Sequence, residues 1–151
     1  MDRKKVSKMR EWFVYFPQGS LQPQLIPVTI SSTDSLLTFL YITIGCESVE
    51  TVRTGSGSEV VMIVDENGLY NDRLKPNLIG GALYNGLIVG GIVLAKEGQR
   101  DGEPDIVGFD TMPEAQYIAE CARTAAKKHF RNVLHHLMGD AAKDHYPKFF
   151  T

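Results

Sequence analysis

Two cysteines, Cys46 and Cys121, are too few to staple a scaffold with disulfides, and their spacing fits no paired C-x-x-C zinc pattern. Both read as buried thiols of a reducing cytoplasm. Long apolar runs are missing too, for none approaches the roughly 20 residues that span a bilayer. The basic start MDRKKVSKMREW meets Pro17 and Gln18 after only a handful of apolar residues, which leaves no signal-peptide core. A soluble, cytoplasmic protein without membrane partners is expected. Excess charge of one sign is likewise absent: 16 Lys and Arg against 18 Asp and Glu give a net charge of -2 and a pI near 6.1. Such a balance supplies no overall pull toward nucleic acid, which is not an expected partner. The four histidines, His129, His135, His136 and His145, hold no H-x-x-x-H metal pair. Neither a P-loop nor a dinucleotide glycine pattern occurs, and no cofactor, metal or catalytic residue is assigned.

What is present is ordinary for a globular chain. Of the 151 residues 43% are hydrophobic and 23% charged, enough for one domain over 1–151 and too few residues for two of typical size.

The run from Trp12 to Phe16 is aromatic and β-branched, as suits a strand covered on both faces. Leu25 to Ile30 resumes the pattern, and Pro27 assigns it to an edge or a bulge. Ser31 to Asp34 precedes apolar residues at three- to four-residue spacing, predicting a helix from about Thr33 to Gly45. Glu47 to Thr54 reads as a strand before the flexible turn Gly55 to Ser58. Glu59 to Val64 is the clearest strand, its unbroken apolar run implying burial on both faces. Asp65-Glu66-Asn67-Gly68 forms a turn. From Leu69 to Asn85 no period holds, so an irregular segment is predicted, followed by a strand over Leu87 to Ala95 interrupted by Gly90-Gly91. Glu97 to Pro104 reads as a charged, mobile loop, with a short strand from Asp105 to Phe109. Thr111-Met112-Pro113-Glu114 has the form of a capping box. It opens a long helix (111–138) whose apolar face is mostly alanine at first and which Gly139 stops. The tail, 139–151, is expected to fold back. Together these give an α+β fold: a mostly antiparallel sheet with one short and one long helix packed on one side.

The succession Asp65-Glu66-x-Gly68, Pro76-Asn77 and the glycine-bearing Ile88-Val89-Gly90-Gly91-Ile92-Val93 resembles domain-of-unknown-function family 3846. The resemblance covers about residues 14–110, with the basic arm (1–10) and the long helix as additions. Members usually carry a polar residue where this chain has Gly91. The resemblance implies a small cytoplasmic α+β protein of phage, mobile-element or bacterial origin, without known catalytic residues.

Glycine, asparagine and proline concentrate between two strong strands, as in recognition loops on rigid scaffolds. The candidate ligand-binding residues are therefore Asp65, Glu66, Asn77, Gly80, Gly81, Asn85 and Gly90. Each has a plainer reading. Asp65 can accept a backbone N–H within its own turn, and Asn77 can tie its loop to itself rather than read a ligand's edge. Gly80-Gly81 offers either a bend or outward-facing amides for an anion. Arg123, Lys127, Lys128 and Arg131 form a positive helix face that is solvated or meets an acidic partner. The leading expectation is a non-enzymatic binding or accessory protein that holds a small anionic, nucleotide-like ligand or a host protein at the Asp65–Gly91 groove. The alternatives are a metal-assisted hydrolase using Asp65 or Glu66, and a protein- or nucleic-acid-interaction module using the basic arm and last helix. Exposed strand edges make a homo-oligomer a further expectation.

Overall fold

The computed structural model describes residues 10–54 and 59–151; most of the basic arm and the turn at 55–58 lie outside these. Apolar alternation builds the first hairpin, β1 (Arg10–Phe16) and β2 (Gln24–Thr29), with Pro27 opposite Trp12 on the outermost strand. There its missing N–H leaves no ladder bond unmade. The first helix, α1 (Thr33–Ile44), starts at a reciprocal cap in which Ser35 N donates to Ser32 Oγ at 3.1 Å and Ser32 N donates to Ser35 Oγ at 3.0 Å. It ends where Gly45 turns left-handed at φ 81°. Then come β3 (Val49–Arg53), β4 (Val60–Asp65), α2 (Leu78–Tyr84), β5 (Ile92–Arg100), β6 (Glu103–Val107), α3 (Met112–Met138) and α4 (Ala142–His145).

All strand pairs are antiparallel, in the order β2-β1-β5-β4-β3, with β6 also on β5. The fold is α+β, as expected, but its helices occupy both faces of the sheet. Val14, Phe16, Met62, Val64, Ile92 and Leu94 point to the face covered by α2 and α3, where Ala115, Ala119, Ala122 and Ala126 permit close approach. Their neighbours Phe13, Val61, Ile63, Val93 and Ala95 point to the other face, against Leu36 and Leu40 of α1. Strands apolar at every position need a cover on each side; helices on one side alone would have left the second set in water.

Four local expectations change. The charged segment after Glu97 is a hairpin, β5 and β6 joined at Asp101 (φ 53°) and Gly102 (φ 80°), the paired positive φ values of a tight I′ turn. Strand β5 begins at Ile92, not Leu87, with Leu87 to Gly91 outside it and Val89 bridged to Pro76. The segment predicted to be irregular contains α2. Nor are both cysteines buried: Cys46 is half-buried and Cys121 is exposed on α3.

The sheet is tied at its far end by Arg100, whose guanidinium donates to Glu11 Oε2 (2.7 Å), Glu11 Oε1 (3.0 Å) and Asp105 Oδ2 (2.9 Å), joining β5, β1 and β6. Phe149 of the tail folds back onto Phe130, the ring centroids 5.4 Å apart. Among the described residues no helix is long and apolar enough to cross a membrane.

Candidate functional site

The connection from β4 to β5 carries every candidate residue but Asp65, the last of β4, and Asn77 organises it. Its side chain is buried, 1% exposed, among backbone groups of three segments. Oδ1 accepts from Gly80 N at 2.9 Å and caps α2, while Nδ2 donates to Phe16 O at 3.0 Å and to Gly90 O at 2.9 Å. The backbone joins in, Asn77 N donating to Ile88 O and Gly81 N donating to Asn77 O, both at 2.8 Å. Both amide donors are thus used within the chain, and Asn77 holds the connection together rather than reading a ligand.

The glycines answer to packing. A Cβ on Gly80 would sit 2.9 Å from Ile88 Cγ2 and 3.2 Å from Ile92 Cγ2, so α2 meets the sheet through it. Its amide points to Asn77 and that of Gly81 to the helix interior, so the outward-facing anion cradle does not form. Gly90, at φ +89°, gives its amide to Lys75 O and its carbonyl to Asn77. Asn85 is the left-handed C-cap of α2 at φ 59°, its N–H donating to Gly81 O.

The two acids diverge as adjacent residues at a strand end must. Asp65 Oδ1 accepts from Asn67 N at 2.9 Å, the self-bonded turn, and Glu66 accepts the hydroxyl of Ser48. Both still line a hollow of about 160 Å³ between the ends of β3 and β4 and the chain from Tyr84 to Val89. A second hollow, of about 340 Å³, lies between α2 and α3, bounded by Pro76, Asn77, Gly81, Asn85, His129 and Phe130. The structure therefore brings Asp65 and Glu66 to one concavity and Asn77, Gly81 and Asn85 to its neighbour, while Leu87 and Ile88 form the wall between them.

Sequence reasoning passed over the rim. Leu69, Tyr84 and Leu87 surround the smaller hollow and are 66%, 51% and 59% exposed. Glu50 of β3 adds a third carboxylate. Among the described residues no Lys or Arg lines either hollow, and none of these three acids has an ion-pair partner. Burial first, and the charge of Asp65 second, push the nearby Cys46 thiol above its ordinary pKa, while the backbone N–H of Ser48 opposes them. Among the described residues no group of three His, Cys, Asp or Glu could hold a metal ion.

No family model matches the chain, and no curated protein matches it. Among solved structures it is similar to the crystal structure of a small RNA methyltransferase, HEN1, with a TM-score of 0.55 and 21% identity. The match covers 76% of this chain and 16% of that one, so this chain spans a small part of the methyltransferase's length. At that identity the likeness speaks to the fold alone.

Proposed function

We propose that this chain is a non-enzymatic binding or accessory protein that holds a segment of a partner protein at the groove between Asp65 and Gly91. One observation carries the reading: large apolar side chains that water should not keep, Leu69, Tyr84 and Leu87, gather around one hollow on a connection locked by Asn77. Exposed apolar residues are normal singly, whereas a rimmed group on a rigid frame is the signature of an interaction site. The small anionic ligand is the less favoured version, since among the described residues no Lys or Arg lines either hollow to meet it. The smaller hollow, of about 160 Å³, is also below the roughly 300 Å³ at which small-molecule sites begin, and the larger, of about 340 Å³, only just exceeds it. Kinship with domain-of-unknown-function family 3846 belongs to the same proposal.

A photoreactive side chain placed at Leu87 in cells expressing the protein tests the reading, with Tyr117, 68% exposed on α3, as the control position. Discrete protein adducts are expected from position 87 and not from 117. Identical adduct patterns, or none from either position, would refute it.

A further inference from the structure

Strand β3 ends the sheet, and among the described residues nothing pairs with its outer edge. Its open groups can be assigned. Glu66 N donates to Ser48 O at 3.0 Å, one step beyond the Val49↔Asp65 pair, and hydrogen-bonded pairs alternate along an antiparallel ladder. Glu50 and Val52 accordingly bond to β4, leaving the N–H and C=O groups of Val49, Thr51 and Arg53 turned outward. Glu50 and Val52 also line the smaller hollow, so the open edge and the hollow adjoin.

We propose that the partner segment is an extended, cationic one that adds to the edge of β3 and places a Lys or Arg side chain in the hollow. This inference rests on the groove reading above and names the chemistry of its occupant. Main-chain bonds to an open edge supply affinity, and the pocket beside it supplies selectivity. The lining dictates which side chain fits. Leu69 and Leu87 offer an apolar track for an alkyl stem, the half-exposed ring of Tyr84 can face a cation, and Glu50, Asp65 and Glu66 meet the charge at its end. Among the described residues no cation pairs with the three acids, so an incoming one meets negative charge that none of those residues offsets.

A displayed library of random nine-residue peptides, panned against the full chain, tests this. Selected peptides are then synthesised and measured by fluorescence anisotropy on the wild type, on Leu87→Asp and on Glu50→Gln with Asp65→Asn. The expected winners contain Lys or Arg and lose at least about tenfold in affinity when that residue becomes norleucine. They lose as much on the double variant, and again when alternate peptide amides are N-methylated. Winners that depend on Leu87 but need no cation, or that tolerate N-methylation throughout, overturn the proposal and leave the groove reading intact. If no winner depends on Leu87, both fall. Asp65→Asn keeps an oxygen for Asn67 N. Should the double variant nevertheless melt early, Glu50→Gln alone, on an exposed side chain, serves as the readout.

Discussion

Replacing Asn77 with alanine removes three side-chain bonds at once and strands buried partners on three segments: Gly80 N, Phe16 O and Gly90 O. Three ordinary bonds set a floor of roughly 3 kcal/mol, and the desolvation of groups left unmet raises the cost to about 5 kcal/mol. The helix cap is one of the three, so it is not counted again. Domains of this kind are stable by about 5–15 kcal/mol, so the variant should fold while losing much of its margin. In melting temperature the loss corresponds to a drop on the order of 10 °C. Asn77→Asp separates donor from acceptor. The carboxyl introduced at position 77 keeps the oxygen for Gly80 N but faces two carbonyls, which favours its protonated form and raises its pKa in the folded state. A proton held more tightly by the folded than by the unfolded chain stabilises at low pH. This variant should therefore be most stable below the usual carboxylate range and lose stability as pH rises through it. Urea unfolding followed by the fluorescence of Trp12, the lone tryptophan, measures both. An alanine variant within about 1 kcal/mol of the wild type, or an aspartate variant indifferent to pH between 4 and 7, would refute the account of Asn77 as the lock of the connection.

Other expectations follow from neighbouring features. Arg100→Ala leaves Glu11 and Asp105, both mostly buried, without their cation. Because some exposure remains, it should cost about 2–4 kcal/mol in urea unfolding rather than the full value for a sealed pair. Gly68→Ala sets a Cβ 2.9 Å from the Val89 carbonyl oxygen, a backbone atom with little freedom to move. It should destabilise by about 1–3 kcal/mol in thermal denaturation. The Cys46 thiol, raised by burial and secondarily by Asp65, should alkylate with a pH midpoint above that of the unfolded chain and shift downward in Asp65→Asn, read by mass spectrometry of the modified peptide. Since the folded state holds that proton more tightly, its contribution to stability falls as pH rises past the unfolded thiol's range.

How far the fold was legible depended on signal length. The apolar runs of β1 and β4, the Ser32 and Thr111 caps and the alanine face of α3 each specify one structure locally, and all formed close to where the pattern placed them. The hidden helix α2 has seven residues, two of them Gly80 and Gly81, which lower helix propensity. It rests on the Asn77 and Asn85 caps at its ends and on the tertiary fit of Gly80 against Ile88 and Ile92. Charge obscured the β5–β6 hairpin, yet Asp101-Gly102 is itself a strong hairpin signal. For the site, the segment was legible and its parts were not. Asparagine and glycine drew notice as ligand groups but serve the backbone, whereas Leu69, Tyr84 and Leu87 passed as ordinary apolar residues until their exposure placed them on a rim.

The strand order also carries a kinetic consequence. Three hairpins, β1–β2, β3–β4 and β5–β6, join neighbours in sequence and can close early, but the seams that unite them, β1 to β5 and β4 to β5, both run through one nine-residue strand. Closing those seams brings distant parts of the chain together, with entropy lost before contacts repay it. β5 is thus the keystone whose docking converts separate ribbons into one sheet, and its amides from Ile92 to Ala95 should be among the last to exchange with solvent.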